Sequence, residues 1–459
     1  MIQQNNFLKK SKFKPKFQTK FQFKFGQILL FLTFLNPNLL LAKTELYTFE
    51  TLLDYTLKNS PNLQISKLGI DEAKIDYDIA KSNFYPTIYF GANSEYSDKF
   101  DNGYSPSYIG DSSLVQDTAY QNSLSLNLRY DIFKFGADYY NAKSAKTHIN
   151  TTTFQKCNDE LETALNLLKL YHEALSLKHQ INSNNELKQA YEILANYATR
   201  LNTAGQMDKI EQTQYSSKLS QTKSNLLTLQ NRANLVLNQI YEISNLQISN
   251  LNDLAEFDTQ SLLSNIKFID FEDSFISKKL KSEIEENALN LKSLERSLYP
   301  TISLYAKYDL YGSDTDSYTK AHKDTHAHGY RVGLSINYEI FDGGRKNSQI
   351  KKQEIINKKL EFEKQNQKLK FQKEQRDIMG FLETKNELEK TLSAINNESQ
   401  KIKNSVSRLN SVGERSKIEL INSLITTIEA KAELQEHILK SNFTLKKAGL
   451  IAEQSKKCE

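Results

Sequence analysis

The densest group of chemically capable side chains is His322-Lys323-Asp324-Thr325-His326-Ala327-His328. Imidazole suits zinc, copper or nickel, and three rings so close in sequence could reach one ion. An exposed loop that is merely histidine-rich fits the same letters, because nothing in the spacing fixes the ring geometry, and no metal or other cofactor is expected. His148, His172, His179 and His437 stand singly in stretches of helical pattern and should face solvent or neighbouring helices. The only cysteines, Cys157 and Cys458, read as incidental. A Gly-rich phosphate loop, a nucleophile motif and a carboxylate pair in an apolar context are all missing, so no catalytic site is expected. What remains is charge placed just after glycine: Lys209-Ile210-Glu211 follows Gly205, and Lys417-Ile418-Glu419 follows Gly413.

Those two groups belong to a duplication. Arg200-Leu201-Asn202-Thr203-Ala204-Gly205 returns 208 positions later as Arg408-Leu409-Asn410-Ser411-Val412-Gly413, and Asp131-Ile132-Phe133 returns as Glu339-Ile340-Phe341. Phe84-Tyr85-Pro86-Thr87-Ile88 has its counterpart in Leu298-Tyr299-Pro300-Thr301-Ile302. Solenoid units are about 20–50 residues, so this period marks a duplicated domain.

The formal charge of +5 over 459 residues misleads. Residues 1–42 hold seven lysines and no acid, and the remainder carries 53 basic against 55 acidic residues. That balance offers no basic face for nucleic acid. The lysine-rich start, the apolar run Ile28 to Leu35 and Leu39-Leu40-Leu41-Ala42 predict an export signal over 1–42. Asn36-Pro37-Asn38 leaves the run short of the roughly 20 residues a spanning helix needs.

Between Gly136 and Gly312 the only glycine is Gly205, and no proline falls between Pro106 and Pro300. Gly and Pro disfavour helix interiors by about 1 and 3 kcal/mol, so their absence permits very long helices. Leu161, Leu165, Leu168 and Leu175, then Leu388, Leu392, Ile395 and Ile402, step at helical spacing. Each copy thus predicts a long helical hairpin, about 137–243 and about 345–450, with coiled-coil packing.

Between the helices the period becomes two. Leu124, Leu126, Leu128 and Tyr130 alternate with Ser125, Asn127 and Arg129; Val332, Leu334 and Ile336 alternate with Gly333 and Ser335. Strands are expected at about 86–97, 122–134, 300–311 and 330–342, each about 9–11 residues, the length of a tilted transmembrane strand. Ser97–Gln121 and Gly312–Gly329 would be loops. An apolar face backed by a polar one suits an outer-membrane barrel. Four strands cannot close one, and open edges are not tolerated in hydrocarbon, so copies of the chain must share strands.

Two strand pairs, each followed by a long hairpin behind an export signal, resemble the TolC-type outer-membrane efflux protein family over about residues 45–450. The marks are Asn59-Ser60-Pro61-Asn62-Leu63, the two Tyr-Pro-Thr strand starts, and Ile340-Phe341-Asp342-Gly343-Gly344-Arg345. The resemblance implies a mainly α protein with transmembrane β-structure: a homotrimer whose 12-stranded barrel in outer-membrane lipid continues as a periplasmic helical tunnel. It implies two repeats, 43–243 and 275–459, with an equatorial linker at 244–274. The implied partners are a periplasmic membrane-fusion adaptor and an inner-membrane pump, ABC-type or proton-driven. The implied function is a passive exit duct for drugs, small molecules or secreted proteins. The alternative is a coiled-coil periplasmic adaptor or scaffold, against which two hairpins and two strand pairs speak.

The resemblance also assigns roles at the hairpin tips. Glu211 and Arg415 would link to hold the periplasmic entrance shut, and Glu419 would form an acidic constriction. Asn422 stands where a further acid is usual, and Asn410 where some members have tyrosine. Gly205, Gln206, Met207, Gly413 and Glu414 would meet the adaptor. The second copy lacks the Asn-Ser-Pro-x-Leu mark, so the first helix of its opening pair is expected to be short.

Overall fold

A computed structural model describes residues 46–96, 120–258 and 268–453. The proposed signal, residues 97–119, the middle of the linker, and Cys458 lie outside the described residues.

The chain opens with α1 (Phe49–Asn59) and α2 (Pro61–Ser82). The Thr48 side chain caps α1 by accepting the Thr51 N–H. Ser60 is extended, as a residue before proline prefers, and Pro61 starts α2 where its missing N–H costs nothing. Strands β1 (Thr87–Tyr96) and β2 (Tyr120–Phe133) follow, then α3 (Ala137–Thr203) and α4 (Lys209–Ser244). The second copy has α5 (Phe275–Arg296), β3 (Thr301–Asp314), a short α6 (Tyr318–Lys323), β4 (Ala327–Asn337), α7 (Arg345–Ser411) and α8 (Lys417–Ala452). In the second copy a single 3-10 turn, Phe271–Asp273, precedes α5 where the first copy has a whole helix.

The duplication is carried through in the long hairpins. Helices α3 and α7 each have 67 residues and α4 and α8 each have 36. At about 1.5 Å per residue the long arms run about 100 Å. No described helix is long and apolar enough to cross a membrane.

The four strands form one antiparallel sheet in the order β1-β2-β3-β4. The pairing of β2 with β3 fuses the two repeats, and β1 and β4 are the outer strands. Strand lengths depart from the sequence expectation. The outer strands have 10 and 11 residues, but β2 and β3 reach 14 because their mutual pairing extends to Tyr120 and Asp314. Strand β4 lies earlier than its pattern suggested. Its apolar alternation runs on to Ile340, but the chain leaves the sheet after Asn337, and Asp342 accepts the N–H groups of Gly344 and Lys346 to start α7. The region between β3 and β4 is also not all loop, since it holds α6.

Register places Ile88, Leu128, Ala306 and Val332 in one row and Phe90, Leu126, Tyr308 and Tyr330 in the next. The opposite face carries Tyr89, Asn127, Lys307 and Arg331 in register. There Asp309 pairs with Lys307 at 2.8 Å and Arg331 at 3.3 Å. The apolar face is uncovered: Val332 is 68% and Tyr330 80% exposed.

The main core gathers where α1, α3, α4 and the start of the linker meet. Tyr171 is fully buried there, and its hydroxyl can donate to the carbonyls of Tyr47 (2.8 Å) and Ala255 (2.7 Å). Those carbonyls belong to a short parallel bridge, Tyr47 with Leu254. Farther on, Phe268 and Phe371 pack on Ile378 and Ile451, and Gln375 donates to the Ile269 carbonyl at 2.8 Å. The two ends of the linker are therefore fastened to different hairpins.

The reading of Cys157 as incidental needs correction, because it is buried and disulfide-bonded. Two isolated cysteines carry no periodic signal, so sequence spacing could not reveal the bond. Among the single histidines, His148 faces Glu286 at 3.1 Å and His179 faces Glu256 at 3.2 Å. His172 stacks on Phe443, where burial holds its pKa below the usual histidine value.

Candidate functional site at the hairpin tips

Each tip is a helix end, a left-handed glycine and a new helix cap. Gly205 has φ +69° and Gly413 has φ +81°, a region that side chains with a Cβ rarely adopt. The Gln206 N–H donates to the Leu201 carbonyl at 2.8 Å, and the Glu414 N–H to the Leu409 carbonyl at 2.9 Å. These six-to-one bonds satisfy carbonyls that a helix end otherwise orphans. The Asp208 side chain then accepts the Glu211 N–H at 2.8 Å, and Ser416 accepts the Glu419 N–H at 3.1 Å. Both acids thus sit in a first helical turn, where the macrodipole favours negative charge.

Asn410 is a turn clamp. Its amide donates to the Arg415 carbonyl at 2.8 Å, as Asn202 does to the Met207 carbonyl at 2.9 Å. Sequence reasoning passed over Asn202, Asp208 and Ser416. The available signal was duplication itself, since Arg-Leu-Asn recurs in both tips and a cap residue stands three before each acid.

Arg415 pairs with Glu419 on its own helix at 3.5 Å, with the two side chains 55% and 47% exposed. A pair so wetted contributes only about 0–1 kcal/mol. Glu211 instead accepts the Tyr215 hydroxyl at 3.2 Å. Burial, then the Glu211 charge, holds the Tyr215 pKa above its ordinary value. Within one protomer the structure does not bring Glu211 and Arg415 together. Asn422 is exposed one turn beyond Glu419. Gln206 and Glu414 are exposed and Met207 is half-buried. Ile210 and Val412 are also exposed, 73% and 69%, and leave an apolar spot on each tip.

The tips are braced against each other. Ala190 and Leu194 of α3 pack on Ile421 and Ile425 of α8, and the Lys417 ammonium lies over the Tyr197 ring at 5.5 Å. Above them Lys431 pairs with Glu186 at 3.5 Å. The two hairpins therefore move as one body unless this seam parts. Asn410→Ala should remove a bond of about 0.5–1.5 kcal/mol. Hydrogen exchange at 409–416 is expected to quicken while the melting temperature stays within a few degrees; unchanged exchange would refute the clamp.

Residues 52–246 match the family described as outer membrane efflux protein. Over that segment the chain is similar to that family. Residues 345–452 lie outside the match and repeat the long hairpin of the matched segment at equal helix lengths. Proteins of that family are outer membrane channels that extend into the periplasm.

Solved structures share the fold at low identity. The outer membrane protein VceC of Vibrio cholerae is 15% identical, with a TM-score of 0.67 over 88% of this chain and 96% of that one. The Campylobacter jejuni CmeC outer membrane channel is 14% identical, with a TM-score of 0.69 over 89% and 85%. The open-state MtrE outer membrane channel of Neisseria gonorrhoeae is 12% identical, with a TM-score of 0.66 over 89% and 90%. A search of curated proteins returned no match.

Proposed function

We propose that this chain is an outer membrane efflux protein and that three copies of it close a 12-stranded barrel and a helical tunnel, forming a passive exit duct. The observation that carries the reading is the four-stranded sheet with two outer strands and one bare apolar face. Open edges in lipid must be paired. Two copies would give eight strands, and a barrel that small is filled by its own side chains or holds one small ligand; three copies leave an aqueous bore. The long helices support the same count of partners. In α7 only Ile378 and Leu392 are buried, while Ile355, Phe362 and Leu369 stand exposed at heptad spacing. On α2, Ile65, Leu68, Ile75 and Ile79 are equally bare. These stripes need neighbouring helices to cover them.

Efflux of small molecules is the preferred cargo reading, with a periplasmic adaptor docking at the tips and an inner-membrane pump supplying energy. Type I secretion of protein would use the same duct. Deletion of the gene is expected to raise drug sensitivity while leaving culture-medium proteins unchanged. Loss of a secreted protein with unaltered drug tolerance would reject efflux.

The entrance is held by weak, repeated contacts. In a trimer Arg415 of each protomer lies near the next hairpin, where Glu211 is the proposed partner. Arg415→Glu replaces attraction by repulsion toward both Glu211 and Glu419, at about 0.5 kcal/mol for each exposed contact, screened by salt. Bilayer conductance should rise and depend less on ionic strength. Glu419→Ala should lower cation preference without opening the tip, because carboxylate rings select by charge. Unchanged conductance and selectivity would leave these tips as solvated ends.

A further inference from the structure

The histidine- and lysine-rich segment between β3 and β4 has no part in the duct, and its position assigns it another partner. A Cβ added to Gly312 would lie 2.4 Å from the Ala321 carbonyl oxygen and 2.6 Å from the Thr325 nitrogen. Glycine is thus required where the end of α6 rests on β3. Side chains alternate along a strand, so Gly312 shares its face with Leu310, Tyr308 and Ala306, the apolar one. Ala321 is fully buried in that contact. The segment therefore folds outward over the lipid side of the sheet, away from the bore.

Its level on that face is also set. Phe90, Tyr308 and Tyr330 lie in one cross-strand register row, matching the aromatic girdle that marks a membrane interface. One row farther from the helices stands His328, paired with Leu310. The next row holds Asn122 opposite Gly312, where the apolar face ends. Helix α6 lies at this boundary and carries Lys320, His322 and Lys323 with no acid. Tyr318 stacks on His322. Asp314, Asp316 and Asp324 flank the helix in sequence, and Asp314 accepts the N–H groups of Asp316 and Ser317, both at 2.8 Å.

We infer that α6 and His328 form a docking surface for the phosphate groups of anionic lipids in the surrounding leaflet. The aromatic row sits at the edge of the hydrocarbon, and the ammonium groups sit just beyond it, at the depth of the phosphates. The inference rests on the barrel reading, which alone makes this face lipid-facing.

The full chain, in nanodiscs of phosphatidylcholine and phosphatidylglycerol, tests it by mass spectrometry of the lipids retained after mild extraction. The parent should enrich phosphatidylglycerol, and Lys320→Gln with Lys323→Gln should lose about fivefold for each lysine, since one such charge near an anionic surface contributes about 1 kcal/mol. Lys351→Gln with Lys352→Gln on α7 should keep the parent's preference. Equal retention of both lipids by a parent that inserts and conducts would overturn this inference alone. So would inorganic phosphate binding in detergent without lipid preference. Failure of the parent to insert would overturn the barrel reading as well.

Discussion

Val332→Arg is expected to cost about 1–3 kcal/mol per protomer and to abolish membrane assembly. Val332 lies near the middle of the apolar rows, opposite Ala306, and is exposed in the single chain. Arginine there would hold a charge inside the hydrocarbon, one strand row from its aromatic edge, repeated in every copy. Ser335→Arg, on the polar face three residues on, should assemble normally because that face meets water. Fractionation with heat-modifiability on gels separates the outcomes. Equal assembly of both variants would remove the lipid face, and with it the barrel.

Tyr171→Ala should cost about 3–5 kcal/mol, the range for removing a large buried aromatic. Phe49 and Phe257 pack on its ring, and its hydroxyl serves the Ala255 carbonyl. The linker's first half would come loose, so limited proteolysis at 245–258 should accelerate. Tyr171→Phe should cost less, about 1–3 kcal/mol, for the carbonyl left unpaired. Burial, then the charges of Glu50 and Glu256, pushes the Tyr171 pKa far up. A raised folded value means the contribution is complete below about pH 10, where the unfolded phenol titrates. It is lost as pH rises toward the folded value. Melting temperature in the wild type should therefore fall above about pH 10, and Tyr171→Phe should flatten that fall. A pH profile identical in both proteins would contradict the role given to the hydroxyl.

The long hairpins were legible because nothing competes with them. In the first hairpin the only glycine is Gly205 at its turn, neither hairpin holds a proline, and the duplication read each arm twice. Strand positions were legible in kind and less so in length, since a strand grows for as long as it has a partner. The pairing of β2 with β3 across the duplication is tertiary, and it added residues at Tyr120 and Asp314 that no local period marks. Helix α6 was hidden for the opposite reason: six residues are too few to show a helical period, and Gly312 reads as a loop glycine until a neighbour rests on it. At the tips, Gly205 and Gly413 announced the turns. The amides of Asn202 and Asn410 close those turns through backbone carbonyls, a contact without a charge or apolar signature. Glu211 and Arg415 are placed by sequence on adjacent tips, but within one chain Glu211 accepts the Tyr215 hydroxyl and Arg415 pairs with Glu419.

The central claim is that this protein completes its barrel with two further copies. Light scattering of the membrane-extracted protein in detergent, corrected for bound detergent, tests it most directly. The account predicts the mass of three chains, each at most 52.9 kDa. A stable, folded species with the mass of one chain would contradict it.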